Sequence, residues 1–239
     1  TNAVLFEKNS AEQRSLASIT KLMSALVLAD LPLPWASTTV VTNADIDTSS
    51  HQLAPGDVLT LDELWHAALV ASSNSAVETL VRASRLSEES FVARLNAKAE
   101  HLHLASARFV DATGLSSGNV ASAWDVARIL KEALKNERIA RALQVGEYYV
   151  HPRQNGKARR LCSTNLLLTA WVPNNFSPEE IAGKTGFIPE AGYNFAVRLS
   201  DNRGHSVRVV VLGATTSEAR FNEARDLAEW AFGGYLWPD

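Results

Sequence analysis

Apolar and polar positions along the chain fall into three patterns. From Ser18 to Asp30 the residues Leu22, Ala25, Leu26 and Ala29 recur at helical spacing, and Pro32 and Pro34 end the run. That spacing predicts a helix with Ser18 at its start. The region from about 61 to 143 carries the same period and predicts mostly helix, best over 61–72, 74–84, 90–100 and 123–135. A turn-rich stretch, 111–119, interrupts it. Near the end, 182–187, 193–200 and 207–212 alternate or run apolar as strands do, with Asp201-Asn202-Arg203-Gly204 as a hairpin turn and a closing helix over 217–230. Residues 3–7 read as a short strand, Lys8-Asn9-Ser10 as a turn, and a second strand ends near Ser15. Strands at both ends of a helical middle predict an α/β fold: an antiparallel sheet from both termini flanked by helices, plus a mostly helical lobe, with a cleft between them. The expected partition is one domain over 1–239, its sheet lobe about 1–50 plus 165–239 and its helical lobe about 51–164.

Composition narrows the function classes. A chain of 239 residues with 46% hydrophobic content can bury a single α/β core. Lys and Arg number 23 against 26 Asp and Glu, so no basic field exists to hold a phosphate backbone, and nucleic acid is excluded as a partner. The single cysteine, Cys162, can form neither an intrachain disulfide nor a thiolate metal site. No membrane-spanning segment is expected, because the most apolar run, 22–31, is broken by Ser24 and Asp30. The opening Thr1-Asn2-Ala3 has neither a basic nor an apolar leader region, which leaves export open.

Three short motifs carry chemistry. In Ser18-Ile19-Thr20-Lys21, three helical steps turn about 300° and bring the amine beside the hydroxyl, a nucleophile and its base. An ordinary lysine is too basic for this, so Lys21 must be desolvated or set near another cation. Ser72-Ser73-Asn74 fits a tight connection between two helices. There Ser72 could pass a proton between Lys21 and a leaving amine while the Asn74 amide holds a substrate carbonyl and the lysine. Lys184-Thr185-Gly186-Phe187 falls in a predicted strand: Lys184 and Thr185 suit a carboxylate, Gly186 permits close approach, and the added cation would depress Lys21 further. Each motif alone is commonly a solvated helix face, a serine-rich cap or a strand-entry turn. Their joint occurrence in this order is the pattern of serine β-lactamases and penicillin-binding proteins.

The chain resembles the low-molecular-mass penicillin-binding proteins, the D-Ala-D-Ala carboxypeptidases and related D,D-endopeptidases. The likeness also runs through Leu53-Ala-Pro-Gly-Asp57, Thr113-Gly-Leu115, Ala121-Ser-Ala-Trp-Asp-Val-Ala127 and on from Lys184 to Asn194, covering nearly the whole chain. The resemblance implies a penicillin-binding/β-lactamase-like fold and a serine D,D-peptidase acting outside the cytoplasmic membrane, periplasmic or facing the cell wall. It implies peptidoglycan peptides and β-lactam antibiotics as ligands, with no metal or cofactor. By position, Ser18 would be the acylated nucleophile, Lys21 its base, and Ser72 and Asn74 the proton-transfer and positioning residues. Lys184 and Thr185 would bind the terminal carboxylate, with Gly186 on the same strand and Arg220 as a further candidate; the backbone N–H groups of Ser18 and Phe187 would form the oxyanion hole. The chain departs from the common pattern in three places. Asp111-Ala112 stands where many relatives have Asn-Pro, and Ser75 where an aspartate is frequent. It also ends at Asp239 without the C-terminal β-rich domain and anchor of many carboxypeptidases, which tilts the expectation toward the endopeptidases.

Two other readings share these residues. A β-lactamase needs a glutamate to activate the deacylating water, and Glu132 with Asn136 has a suggestive spacing, though within a helical pattern. A penicillin-sensing or wall-binding module would acylate without turnover. His101 and His103 could chelate a metal, but Leu102 and Leu104 point to packing.

Overall fold

The computed structural model describes residues 3–48, 52–154 and 156–237; the terminal Thr1, Asn2, Pro238 and Asp239 lie outside the described residues. In chain order the elements are β1 (Gln13–Ser15), a 3-10 turn (Ala17–Thr20), α1 (Lys21–Ala29), β2 (Thr38–Val40), β3 (Val58–Thr60), α2 (Leu61–Leu69), α3 (Asn74–Ala83) and α4 (Glu88–His101). There follow β4 (Val120–Ser122), α5 (Ala123–Ala133), α6 (Glu137–Leu143), β5 (Glu147–Val150), β6 (Arg159–Cys162), β7 (Ile181–Ile188), β8 (Gly192–Ser200), β9 (Ser206–Ala214) and α7 (Ala219–Gly234).

Local chemistry explains where the helices start. Thr60 and Glu63 form a capping box on α2, and Ser73, Ser87, Ser122 and Asn136 each accept a backbone N–H at the starts of α3 to α6. The first helix differs. Every residue from Lys21 to Leu28 is buried, so α1 is a central helix packed all round, and it is entered through the 3-10 turn without a side-chain cap.

β7, β8 and β9 form an antiparallel three-stranded sheet in the order β7-β8-β9. Alternation sorts its two faces. Phe195, Val197 and Leu199 join Val207, Val209 and Val211 against Phe221, Ala224 and Ala228 of α7. Ala182 and Ala196 face the larger core that surrounds α1. Among the described residues β7 is paired on one side only, so its outer edge borders the junction with the helices.

The sheet differs from the sequence expectation at its N-terminal side. Residues 3–7 form no strand, and β1 pairs with β4 in a two-stranded sheet instead of joining β7–β9. The reason lies in tertiary contacts: Leu5 packs against the core under α7, and its carbonyl accepts from Tyr235 Oη at 3.2 Å. Two small hairpins, β2 with β3 and β5 with β6, were also not expected.

Candidate active site

Ser18 lies in the 3-10 turn that feeds α1. With three residues per turn, positions i and i+3 eclipse, so Ser18 and Lys21 align more closely than the α-helical 300° would allow. Lys21 Nζ is 2.8 Å from Ser18 Oγ, 2.5 Å from Asn74 Oδ1 and 2.7 Å from the Thr113 carbonyl. Asn74 is itself oriented, because its Nδ2 donates to Asp47 Oδ2 at 2.6 Å, which leaves the amide oxygen facing the lysine. Ser75 supports the same segment: its hydroxyl accepts from the Asp47 N–H at 2.9 Å, a structural role at one of the positions where the chain departs from the expected pattern.

The turn after Asp111 supplies the third partner of Lys21. Asp111 Oδ1 accepts from the N–H groups of Thr113 and Gly114 at 2.7 and 2.6 Å, and Oδ2 from Ser116 N and Asn119 Nδ2 at 2.8 and 2.9 Å. One carboxylate thus builds the turn that presents the Thr113 carbonyl. Gly114 is required there: φ is +90°, and a Cβ would stand 1.9 Å from the Ala17 carbonyl oxygen. Two residues with side chains, Ala17 at φ +48° and Ser72 at φ +60°, also occupy the left-handed region, flanking the site.

Lys184 enters from β7. Its Nζ donates to Ser72 Oγ at 2.7 Å and to the Thr185 carbonyl at 3.0 Å, so the observed partner of Ser72 is the second lysine. Thr185 Oγ1 is 2.6 Å from Thr164 Oγ1. Gly186 brings the strand against the segment carrying Ser18: a Cβ here would be 2.6 Å from the Leu16 carbonyl and 3.1 Å from Ser18 N. Arg220 is buried on the α7 side, donating to the Gly186 and Asn194 carbonyls at 3.0 and 3.4 Å and to Ser217 Oγ at 3.1 Å. Its donors therefore brace the strands, and its charge reaches the site as a field.

Electrostatics follow from burial. Lys21 is pulled from 10.5 to about 7, first by desolvation, while Asp111, Asp47 and Glu78 act in the opposite direction. Lys184 is pushed well below the usual lysine range by burial, then by Lys21 and Arg220. Loss of water, one of the two expected routes, is the cause that lowers Lys21. Arg220 falls to about 10 through burial. Glu78, one helical turn beyond Asn74, is raised to about 7 by burial and then by Glu88, Asp111 and Asp45. Lys21, Lys184 and Arg220 are all buried here, and Arg220, which keeps its charge at neutral pH, favours an anionic ligand terminus nearby.

Sequence reasoning missed several positioning groups. Asn194 donates to the Ser15 and Leu16 carbonyls at 2.9 and 3.0 Å and accepts from Gly213 N at 2.8 Å, tying β8 and β9 to the segment that carries Ser18. Asp47, Thr164 and Asp111 belong to the same class. Their one sequence signal was proximity to the motifs, clearest for Asn194. The β-lactamase candidate dissolves: Glu132 pairs with Lys135 at 2.6 Å on the surface of α5, and Asn136 caps α6.

Residues 1–216 match the family described as D-alanyl-D-alanine carboxypeptidase. The chain belongs to that family. Among D-alanyl-D-alanine carboxypeptidase relatives, it is 32% identical over 244 residues to a D-alanyl-D-alanine carboxypeptidase of Bacillus subtilis, covering 98% of this chain and 60% of that protein. A D-alanyl-D-alanine endopeptidase of Pseudomonas aeruginosa is 31% identical over 241 residues, covering 99% of this chain and 75% of that one. The chain therefore spans three fifths to three quarters of these relatives' lengths. Among solved structures, the DD-transpeptidase of Streptomyces K15 superposes with a TM-score of 0.85 at 25% identity, covering 98% of this chain and 93% of that one. The penicillin-binding fold is thereby shared. Among the described residues no helix is long and apolar enough to cross a membrane.

Proposed function

We propose that this chain is a serine D,D-peptidase, one penicillin-recognition domain that cleaves D-alanyl bonds of peptidoglycan stem peptides and is acylated by β-lactams. The observation that carries the reading is the hydrogen-bond pattern of Lys21. A neutral amine has two N–H donors and one lone pair. Asn74 Oδ1 and the Thr113 carbonyl take the donors, which leaves the lone pair for the Ser18 hydroxyl.

Ser18 Oγ attacks the carbonyl carbon of the penultimate D-alanine as Lys21 takes its proton. The N–H groups of Ser18 and Phe187 hold the developing oxyanion, and Lys184 and Thr185 hold the terminal carboxylate. The C–N bond then breaks, the leaving amine receives a proton by way of Ser72, and water hydrolyses the ester with Lys21 again as base. Because the substrate lies outside the cytoplasmic membrane, the protein works on that side, in the periplasm or facing the wall.

Mass spectrometry of a pentapeptide monomer and a cross-linked dimer after incubation tests the proposal and separates carboxypeptidase from endopeptidase action. Release of D-alanine or dimer cleavage by the wild type, lost in Ser18→Ala, is the expected result. A stable β-lactam adduct without any peptide turnover would instead mark a sensing module.

A further inference from the structure

Phe187 and Tyr193 stand directly opposite each other across β7 and β8, and their rings stack with centroids 4.3 Å apart at 23°. Phe187 is 48% exposed although the six preceding residues of its strand are buried. An open aromatic pair on an otherwise buried strand has a place in the fold that suggests its use. Strand alternation puts Phe187 on the same face as Thr185, roughly 7 Å farther along. Arg220 braces the pair from behind: it bonds the Gly186 and Asn194 carbonyls, and its guanidinium lies 5.3 Å from the Tyr193 ring centre. The rings are thus held in place before any ligand arrives.

The direction of β7 decides which part of a ligand meets them. With the terminal carboxylate at Lys184 and Thr185 and the scissile carbonyl at the Ser18 and Phe187 N–H groups, a ligand lying along the free edge of β7 carries its acyl half past Phe187 toward Ile188. We propose that Phe187 and Tyr193 form a recognition surface for the acyl half of the ligand, favouring donors that present an aryl or other flat apolar group beside the scissile carbonyl. This rests on the acylation of Ser18 proposed above.

Two penicillins with the same nucleus test it, one bearing a phenylacetyl and one an acetyl side chain, with second-order acylation rates followed by intact-protein mass spectrometry. The wild type should react faster with the phenylacetyl compound by about fivefold, the order expected for one aromatic stacking contact. In Phe187→Ala that ratio should fall to near one, in Tyr193→Leu it should fall part of the way, and Phe187→Tyr should retain it. General loss of stability slows both compounds alike and leaves the ratio unchanged. A ratio near one in the wild type, or an undiminished ratio in both Phe187→Ala and Tyr193→Leu, overturns the aromatic surface while leaving Ser18 chemistry intact. Absence of any adduct with either compound overturns the acylation reading itself.

Discussion

Lys21 lies in the interior among three carboxylates, yet burial holds its amine near 7, because loss of hydration penalises the ammonium more than Asp111, Asp47 and Glu78 reward it. A base works only when unprotonated, so the β-lactam acylation rate should rise with pH through a midpoint near 7 and level off above it. Glu78→Gln removes a negative charge that favours the ammonium, so the midpoint should move to lower pH. A stopped-flow pH series on both proteins measures the displacement, and an upward move would contradict the assigned sign. Lys21→Ala should lose both β-lactam acylation and peptide cleavage. The pair Ser18 and Lys21 was legible from spacing alone. Glu78 was not, since nothing in a helical glutamate announces that its carboxyl is half-buried.

At the scale of elements, Ser18 is positioned by a turn, a loop and a strand that meet at backbone distance. Gly114→Ala would place a methyl group 1.9 Å from the Ala17 carbonyl in a left-handed backbone, and should cost about 3 kcal/mol or more. Asn194→Ala leaves the Ser15 and Leu16 carbonyls and the Gly213 N–H without their partner, and should cost about 2–3 kcal/mol. Urea unfolding of each variant checks these values, and a loss under about 0.5 kcal/mol in either would show that the loop adjusts freely. The helices α2 to α5 were readable because caps and apolar period agree. The β5–β6 hairpin was not, because Glu147–Val150 and Arg159–Cys162 are four-residue strands whose pairing is decided by contact. For the same reason β1 pairs with β4 and leaves the expected terminal sheet.

Across the whole molecule, charged pairs fasten outlying segments to the core. Asp57 binds Arg159 of β6, Glu63 binds Arg153, and Asp45 binds Arg82 of α3. Burial alone would raise all three carboxyl groups, but hydrogen bonds and the adjacent guanidinium groups outweigh it and hold each below its usual range. A lowered folded-state pKa stabilises fully above the unfolded value of about 4, and the contribution is lost as pH falls below it. The thermal midpoint should therefore drop on acidification below about pH 4, with Asp57→Asn showing a weaker drop; a midpoint flat from pH 5 to 3 would sink this assignment. What the sequence by itself determined are the features written in local pattern: the α/β class, the helices around α1, the three final strands and the motif residues Ser18, Lys21, Ser72, Asn74 and Lys184. Tertiary structure alone decided which atoms those residues face. The Thr113 carbonyl on Lys21, Ser72 on Lys184, the inward bracing by Arg220 and the Asn194 bridge join residues far apart in the chain. Desolvation likewise belongs to the packed interior and has no local sequence signature, so the base strength of Lys21 exists only once the interior packs around it.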